Sequence, residues 1–554
     1  MASPRLLIAN RGEIAVRILH AAAELGWPTV AVFSEDDAGA LHVRRADVAR
    51  PLRGAGPAAY LDVEQLIGVA RATGCTLVHP GYGFLSEQAT FAGACAAAGI
   101  GFVGPTADTL ALLGDKTRAR SLARDCDVAV LPGTFASTGL EESRSFLSSR
   151  GAIMLKALAG GGGRGMRVVS DPAKLDEAFA RCTSEAKAAF GSGDLYVEEH
   201  LANARHVEVQ IIGDGSGVVV ALGDRECSLQ RRHQKLIEVA PCPDLPATVR
   251  ERLTAAALRL GTAARYASLG TVEFLVDGER IAFLEVNPRL QVEHTVTEAV
   301  TGLDLVVLQL RLATGATLEQ LGIDGTPASH GMALEARVNL ETIAADGSVR
   351  PGGGTLSAFE PPTGAGIRVD TAAFVGLTPS PRFDSLLAKV VVHTTSTDIG
   401  ALFAKADRAL AAFRIDGTST NLGFLRALVQ HPTVRAGQVH TRFVEDHLDA
   451  LLAAVPVAAP TATGLAGTRV DAVDPLAVLV HGKTSAVLLP DADGAVTVGA
   501  PLQGTIVAVE VVVGDVVRAG RQLLVMEAMK MEHAVTAPVS GVVRRLDVVP
   551  GDTV

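Results

Sequence analysis

Short apolar runs of strand length alternate with longer amphipathic stretches in the first hundred residues of the chain. Residues 5–35 predict a strand, a helix and a second strand, and a unit of the same order follows at residues 76–104. Such alternation is typical of βαβ units and predicts a parallel sheet. Because no GxGxxG sequence follows the first strand, a dinucleotide-binding fold gains little support.

Apolar and polar residues then alternate one by one along the stretch 284–294. As a β-strand, this stretch would turn its apolar side chains to the core and gather its polar side chains on the other face. That face carries two carboxylates, two amides and a guanidinium, namely Glu285, Asn287, Arg289, Gln291 and Glu293. For an isolated strand of this kind, the alternative is a solvated outer face.

A hairpin is predicted just before this polar row, since two strand-like runs surround a turn at residues 277–280. The pairing would set Glu273 opposite or nearly opposite Glu285. Like charges across a strand pair repel each other, and a bound cation relieves that repulsion. Mg²⁺ typically binds one or two carboxylates together with substrate phosphates. Glu273, Glu285 and Asn287 are therefore predicted to form a metal and nucleotide site.

A glycine-rich run lies between two strand-like segments at residues 153–169. The consecutive glycines at 160–163 would let backbone N–H groups turn towards an anion, and Lys156 would add a point charge for a phosphate. The run is not a Walker A loop, because no GK[ST] follows it. A bare glycine run is also compatible with a flexible tip. The polar cluster Cys227–Lys235, taken alone, is equally compatible with a solvated turn.

The carboxyl-terminal part contains an internal repeat. Pro501–Val517 matches Pro538–Val554 at a constant offset of 37 residues, which predicts two half-barrels related by a pseudo-dyad. Lys530 lies at the centre of a hairpin-like MEAMKME segment after the first copy. The second copy has no counterpart of this segment, so we expect an unpaired sheet edge and a native polypeptide that continues past Val554.

Composition narrows the possible classes of function. The 554 residues are 48% apolar, which is enough for several cores. A net charge of -10 argues against a general nucleic-acid binder, which needs a basic surface. The six cysteines form no CxxC pair, so neither a zinc site nor a disulfide framework is predicted, and a reducing compartment fits. No apolar run is long enough to cross a membrane and no signal peptide is evident, so we expect a cytoplasmic protein.

Two sets of motifs carry a resemblance to known families. Residues 5–447 resemble biotin carboxylase, an ATP-grasp enzyme, through IANRGEIAVRI, HPGYGFLSE, GDK, LKALAGGGGRGM, RHVEVQ, CSLQRRHQK, TVEFL, LEVNPRLQVEH and RFDSLLAK. Residues 498–554 resemble biotinyl carrier domains through VMEAMKMEH. One departure is the pair Glu199-His200, where the carboxylase family often has a lysine followed by an aromatic residue. This change would spare a backbone contact to adenine but could alter nucleotide affinity.

The resemblance implies a chain of α/β and α+β class that combines an ATP-grasp carboxylase with a small carrier domain. The expected parts are an N-terminal parallel-sheet domain (1–114), an ATP-grasp domain (115–334) with a small lid (130–205), a mixed C-terminal domain (335–447), a linker or docking segment (448–497) and an all-β flattened-barrel biotinyl domain (498–554) that lacks its final strand.

The resemblance also implies roles for individual residues. The nucleotide contacts would be Lys116, Lys156, Gly162, Gly163, Glu198, Glu199, His200, Leu201, His206, Gln230 and His233. Glu273, Glu285 and Asn287 would bind Mg²⁺ or Mn²⁺. The bicarbonate pocket would comprise Lys235, Arg289, Gln291 and Val292, with Glu293 as its general base and Arg337 facing the biotin ureido oxygen. Lys530 would carry covalent biotin. Its neighbours Met529 and Met531 favour biotin over a lipoyl group, and an unmodified surface lysine is the alternative.

A protein of this kind would carboxylate biotin with ATP and bicarbonate, through carboxyphosphate, as the first half-reaction of an acyl-CoA carboxylase. The expected partners are a carboxyltransferase subunit or domain, a biotin protein ligase and a second copy of the chain. Two alternatives stay open, a urea or other small-acceptor carboxylase and a non-catalytic biotin carrier scaffold. The residues at hand do not specify the acceptor, because a transferase would select it.

Overall fold

The computed structural model describes residues 3–158, 165–456, 496–500, 504–528 and 531–554. These residues belong to two compact units, of which the first ends at Ala454 and the second runs from Val455 to Val554. In the ranges described, every helix is too short or too polar to cross a bilayer. The six cysteines are free thiols.

Five parallel strands form the sheet at the start of the first unit. They are β1 (Leu6–Ile8), β2 (Thr29–Phe33), β3 (Val48–Pro51), β4 (Leu77–His79) and β5 (Gly101–Phe102), in the spatial order β3-β2-β1-β4-β5. The helices of this part are α1 (Gly12–Glu24), α2 (Leu41–Arg45), α3 (Val63–Ala72), α4 (Ala89–Ala97) and α5 (Ala107–Leu113). The predicted parallel sheet is confirmed, since every pairing within it is parallel.

A small antiparallel sheet follows. Its strands are β6 (Ile153–Ala157), β7 (Met166–Val169) and β8 (Leu195–Glu199), in the order β7-β6-β8, and its helices are α6 (Lys116–Asp125), α7 (Leu140–Arg150) and α8 (Leu175–Phe190). Strands flank the glycine-rich run as predicted, but residues 159–164 lie outside the described residues. The Asp115 side chain caps α6 by accepting from the Arg118 N–H at 2.9 Å. Lys116 is therefore the first residue of that helix.

An eight-stranded antiparallel sheet is the largest of the first unit and continues past residue 334. Chain order gives β9 (Arg205–Asp214), β10 (Val219–Arg231), β11 (Gln234–Ala240), β12 (Ala267–Asp277), β13 (Arg280–Asn287), β14 (Met332–Asn339), β15 (Glu341–Ile343), β16 (Val349–Pro351), β17 (Ala358–Glu360), β18 (Ile367–Thr371), β19 (Leu386–Thr394) and β20 (Arg414–Asp416). The large sheet has the order β13-β12-β9-β10-β11-β14-β19-β18, while β15 pairs with β16 and β17 with β20.

Eight further helices accompany this sheet. They are α9 (Ala247–Ala263), α10 (His294–Thr301), α11 (Leu305–Ala313), α12 (Ile399–Ala412), α13 (Leu422–Gln430), α14 (Pro432–Arg435), α15 (Phe443–Asp446) and α16 (Leu448–Ala453). Single 3-10 turns occur at Glu35–Asp37, Pro57–Leu61, Pro172–Lys174 and Glu319–Leu321.

One face of the large sheet packs against α9 in an apolar core, whereas the other carries buried charged side chains together with apolar residues such as Ile212. Leu253 and Leu260 of α9 share a buried cluster with Val207 and Val209 of β9. Each such side chain contributes about 1.5–3 kcal/mol when it is fully buried. Successive residues of a strand point to opposite faces, so Glu208, between the two valines, lies on the other face.

The hairpin predicted before residue 284 is present, and a register shift between Glu273 and Phe274 sets Glu273 directly opposite Glu285. β12 and β13 pair Asp277 with Arg280 and Glu273 with Glu285. The prediction of a single strand through residue 293 is wrong, because β13 ends at Asn287. Pro288 has no N–H group to donate to a neighbouring strand, so the pairing stops there.

The polar cluster 227–235 is mostly strand rather than solvated turn. Only Arg232 and His233 separate β10 from β11, and both have positive φ angles, 46° and 67°, as a type I′ hairpin turn requires. Gln230 and Arg231 remain in β10 with 6% and 5% exposure. β8 ends at Glu199, so the implied nucleotide contacts His200 and Leu201 follow the strand rather than lie in it.

The second unit contains β21 (Thr505–Val509), β22 (Val516–Val517), β23 (Gln522–Ala528), β24 (Met531–Thr536) and β25 (Gly541–Val542). Its sheets have the orders β21-β23-β24 and β22-β25. Val516 pairs with Val542, and Thr505 pairs with Thr553. Under the repeat offset of 37 residues, position 516 corresponds to 553 and position 505 corresponds to 542. The two pairings are therefore equivalent, with the two copies of the repeat exchanged. Lys530 lies outside the described residues.

Candidate active site

Glu273 and Glu285 lie opposite each other on the hairpin and form the centre of the predicted metal site. Asn287 Nδ2 donates to Glu273 Oε1 at 2.7 Å, and both side chains are buried. Lys116 Nζ lies 3.7 Å from Glu285 Oε2. Carboxylate and amide oxygens are the ligands that hard cations such as Mg²⁺ prefer. The donor set therefore fits the predicted ion.

The structure adds two side chains of β9 to this corner. His206 Nε2 lies 2.8 Å from Glu273 Oε2, and one possible ligand atom from each of His206, Glu208 and Glu273 lies within 4.8 Å of the others. Burial lowers the pKa of His206, but the Glu273 carboxylate raises it to a net value above the ordinary one. Sequence reasoning missed Glu208, although the alternation in RHVEVQ places it on the face of His206.

Lys235 Nζ lies at the centre of three carboxylates from three different elements. It is 2.6 Å from Glu208, 3.2 Å from Glu273 and 2.5 Å from Glu293. Burial would lower the pKa of the Lys235 ammonium, but the charges of Cys227 and Glu208, followed by the other carboxylates, raise it well above the ordinary value. The lysine is therefore charged over the whole neutral range and can bind an anion.

Glu293 is held by two cations, one at each carboxylate oxygen. Oε1 contacts Lys235, and Oε2 lies 2.9 Å from Arg337 Nη2. Burial would raise the pKa of Glu293, but Lys235 and Arg337 lower it well below the ordinary value. The side chain is consequently ionised at neutral pH and able to accept a proton, while the two cations keep it a weak base.

Arg337 has a second carboxylate partner that sequence reasoning missed. It forms an ion pair with Glu238 of β11, which is paired in register with Glu335 of β14. Burial raises the pKa of Glu238 to about 7 and that of Glu335 to about 8. Arg337 is thus surrounded by acidic side chains, of which Glu293 is the one that it shares with Lys235.

Arg289 and Gln291 join this group although they follow the end of β13. Arg289 Nε lies 2.5 Å from Glu87 Oε1, and its Nη2 lies 3.2 Å from Asn287 Oδ1. Gln291 Nε2 donates to Glu273 Oε1 at 3.2 Å. The polar side chains predicted for one strand face therefore converge, but a turn after Pro288 brings them together rather than the period of a strand.

Several side chains predicted to contact a nucleotide form ion pairs with other side chains of the protein. Lys156 Nζ lies 2.5 Å from Glu198 Oε2, and Arg120 forms an ion pair with the same carboxylate. Glu199 Oε2 lies 2.6 Å from Arg280 Nη2. Because both carboxylates already have partners, the backbone of residues 198–201 is the part left to contact a base. At Glu199, the departure noted from the sequence therefore affects a side chain that points to a protein partner, Arg280.

His233 and Gln230 lie at the hairpin beside Lys235. Burial lowers the pKa of His233 to about 4, with a further contribution from the Lys156 charge, so its imidazole is neutral at physiological pH. Gln230 is paired with Lys235 across the two strands. Val292 contributes its carbonyl oxygen to this region, and that oxygen accepts a hydrogen bond from Lys389 Nζ at 3.0 Å. Gly162 and Gly163 lie outside the described residues.

Four stretches of the chain match family models. Residues 2–110 match "Biotin carboxylase, N-terminal domain", 115–321 match "Carbamoyl-phosphate synthase L chain, ATP binding domain", 335–446 match "Biotin carboxylase C-terminal domain" and 496–554 match "Biotin-requiring enzyme". These matches confirm the resemblances drawn from the motifs.

Solved structures and curated proteins give the same result. A biotin carboxylase domain of a single-chain bacterial carboxylase is 48% identical, with a TM-score of 0.74 over 82% of this chain and 99% of that one. A single-chain, multi-domain long-chain acyl-CoA carboxylase is 43% identical, with a TM-score of 0.74 over 100% of this chain and 50% of that one. Pyruvate carboxylase of Aspergillus niger is 45% identical over 451 residues, which are 80% of this chain and 38% of the relative. The chain therefore spans 38% of the length of this curated relative.

Proposed function

We propose that this chain, which belongs to the biotin carboxylase family, uses ATP and bicarbonate to carboxylate a biotin held on Lys530. Biotin, ATP and Mg²⁺ are its cofactors. The observation that carries the proposal is the position of Glu293 between Lys235 and Arg337, at 2.5 Å and 2.9 Å. A carboxylate in this position can act as a base towards an anion bound by Lys235. It can also assist a group bound by Arg337.

Cationic side chains would hold the two substrates of the first step. Lys116 and Lys156 would offset the negative charge of the ATP phosphates. Glu273, Glu285 and Asn287 would hold Mg²⁺, which when bound neutralises further phosphate charge. Bicarbonate would bind at Lys235 and Arg289, where a positive charge compensates its own.

Glu293 would then act as the general base. It takes the bicarbonate proton as a bicarbonate oxygen attacks the γ-phosphorus, the bond from that phosphorus to the leaving oxygen of ADP breaks, and carboxyphosphate forms. Positioned proton transfer contributes about 10²- to 10⁴-fold to such a step. When bicarbonate takes over part of the contact with Lys235, Glu293 loses some of the charge that depresses its pKa and becomes a stronger base.

Arg337 would serve the second step. Carboxyphosphate would break down to CO₂ and phosphate. The ureido nitrogen of attached biotin would take up the CO₂ while the phosphate takes the proton from that nitrogen. The Arg337 guanidinium, held by Glu238 and Glu293, would donate to the ureido oxygen, an arrangement that stabilises negative charge as it develops. Exclusion of water protects the labile carboxyphosphate in the meantime.

An acyl-CoA thioester is the acceptor we propose for the carboxyl group. The solved long-chain acyl-CoA carboxylase aligns with 100% of this chain, including its biotin-requiring part. The first curated pyruvate carboxylase aligns with 80% of the chain at 45% identity, which makes pyruvate the second candidate. A urea or other small-acceptor carboxylase is a weaker reading. A non-catalytic scaffold is disfavoured because the sequence retains the whole set of charged residues implied for the site, namely Glu273, Glu285, Arg289 and Glu293.

The proposal includes partners and a location. A carboxyltransferase, in the same chain or a separate one, would pass the carboxyl group to the acceptor. A biotin protein ligase would load Lys530, and the carboxylase part would form a homo-oligomer. The cytoplasmic location stays a prediction.

ATP cleavage with free biotin tests the first half-reaction. Purified protein should release ADP from MgATP only when bicarbonate is present, and free biotin should increase the rate. ADP release that is absent, or equally fast without bicarbonate, would refute the proposed activity. The acceptor is tested separately, by transfer of label from [¹⁴C]bicarbonate to acyl-CoA thioesters, pyruvate and urea with the complete protein and its transferase.

A further inference from the structure

Two cations lie side by side on neighbouring strands of the large sheet, and one contacts Glu293 while the other contacts the residue before it, Val292. Arg337 of β14 and Lys389 of β19 are paired in register. Arg337 contacts the Glu293 carboxylate at 2.9 Å, and Lys389 Nζ donates to the Val292 carbonyl at 3.0 Å. Like charges that face each other across a strand pair repel each other. Acidic side chains must therefore offset this repulsion, and the pairing suggests a functional role for the second cation.

Acidic side chains provide the compensation for Lys389. Its side chain is 0% exposed, and its Nζ lies 2.8 Å from Glu13 Oε1 and 3.9 Å from Asp370 Oδ2. Burial would lower the pKa of Lys389, but Glu13, Glu335 and Asp370 raise it above the ordinary value. The ammonium group is therefore charged, although burying it has a substantial desolvation cost.

The Val292 carbonyl belongs to the peptide bond that precedes Glu293. A peptide bond is planar, so fixing its oxygen also fixes the direction of the Glu293 N–H and the place of the Glu293 Cα in that plane. This stretch lies between the end of β13 at Asn287 and the start of α10 at His294. Its backbone hydrogen bonds, at the carbonyls of Asn287, Gln291 and Glu293, leave the Val292 carbonyl to Lys389. Within this connection, the His294 ring lies 2.7 Å from the Gln291 carbonyl through Nδ1.

We propose that Lys389 is a positioning residue that sets the direction of the Glu293 carboxylate from the backbone side, while Arg337 and Lys235 set it from the side-chain end. The inference rests on the proposed role of Glu293 as general base. Lys389 itself contacts the protein only, through Glu13 and Val292, so its effect on the reaction passes through the peptide bond that it holds.

The test compares K389M/E13Q with E13Q. E13Q keeps the lysine and its contact with Val292 and serves as the reference, while the double variant removes that contact without leaving Glu13 as an unpaired buried charge. We expect kcat for bicarbonate-dependent ATP cleavage to fall about 100-fold in the double variant relative to E13Q, because a misplacement of about 1 Å can have such an effect. The KM for MgATP should change less than about 2-fold, since Lys389 touches none of the nucleotide residues.

Hydrogen exchange gives a readout that does not depend on turnover. Backbone amides of residues 288–294 should exchange faster in K389M/E13Q than in E13Q. The variant R426M/D407N is the matched control, because it removes a different ion pair, at 3.0 Å between α12 and α13. Its exchange at 288–294 and its kcat should equal those of the wild type.

K389R gives a second test if the double variant does not fold. It keeps the charge, but a planar guanidinium cannot reproduce a single-point ammonium contact, so kcat should fall about 10-fold at an unchanged KM for MgATP. A folded variant with wild-type kcat and wild-type exchange at 288–294 overturns the inference. If the wild type itself shows no bicarbonate-dependent cleavage, the proposed function fails, and the exchange comparison still decides whether Lys389 holds this peptide.

Discussion

Lys235 Nζ lies 2.5 Å from Glu293 Oε1, and the same ammonium group also contacts Glu208 and Glu273. The metal corner and the proposed base therefore share one cation. Any anion that binds Lys235 must compete with these carboxylates, and in doing so it changes the charge that each of them experiences. The first two predictions address these two parts of the site, the proposed base and the metal corner.

Changing Glu293 to Gln should lower bicarbonate-dependent ATP cleavage by about 10²- to 10⁴-fold, because the amide cannot accept the bicarbonate proton. The variant should still bind MgATP, which a fluorescent nucleotide titration would measure. E279Q is the control, since Glu279 is exposed at the turn of the β12–β13 hairpin. Unchanged turnover in E293Q would remove Glu293 as the base.

Changing Glu285 to Gln should raise the Mg²⁺ concentration needed for half-maximal ATP cleavage. Loss of an outer-shell partner raises this requirement about 10- to 100-fold in other metal sites, and loss of a direct carboxylate ligand should do at least as much. Titration of activity with Mg²⁺ at saturating ATP measures the effect. If E285Q and the wild type have the same Mg²⁺ dependence, Glu285 is not a ligand.

Changing Lys530 to Arg should abolish biotin on the chain without altering ATP cleavage in the presence of free biotin. The reason is that the carboxylation residues all lie in the first unit, whereas the attachment position lies in the second. A streptavidin blot detects the label, and K174R, at an exposed lysine, is the control. A labelled K530R chain would show that biotin is attached elsewhere.

Stability should decrease as the pH rises through the neutral range, because of Glu335. Burial, together with the neighbouring Glu238, raises the pKa of Glu335 to about 8, whereas the unfolded chain titrates near the ordinary 4.5. Between these values the folded state binds more protons than the unfolded state, so the free energy of unfolding falls as the pH rises. Changing Glu335 to Gln removes this titration.

The expected result for E335Q is a smaller loss of denaturation midpoint between about pH 5 and about pH 8 than in the wild type. Chemical denaturation at several pH values measures it. E251Q, at an exposed position of α9, should keep the wild-type slope. An identical slope in E335Q would mean that Glu335 does not carry the pH dependence.

Much of the metal corner could be predicted from the sequence because it depends on local order. A tight turn at 277–280 determines which residues of β12 and β13 face each other, so counting places Glu273 within one residue of facing Glu285. A register shift between Glu273 and Phe274 then makes the two glutamates direct partners, and counting does not predict that shift. The strand beyond Asn287 was wrong because the alternation continues through Pro288, while the backbone pairing cannot. Side-chain period alone does not report a missing N–H group.

The residues that surround the two cations of the proposed base could not be predicted in the same way. Glu208, Glu238 and Lys389 come from three strands that are distant in sequence from Glu293 and join its surroundings only through the order of the large sheet. A buried ion network of this kind has no short-range signature, since each member is a single charged residue in an otherwise ordinary strand. Only the tertiary register shows that Lys389 faces Arg337.

The exchanged pairings of the second unit bear on how that unit folds. Val516 with Val542 and Thr505 with Thr553 each join one copy of the repeat to the other. In the described part of this unit, each of these two pairings joins residues of different copies. Both pairings therefore require the two copies to be present and ordered at the same time. We infer that the part of the second unit that carries the β23–β24 hairpin folds and unfolds in one step. Cleavage of the chain between the two copies would then weaken both pairings at once.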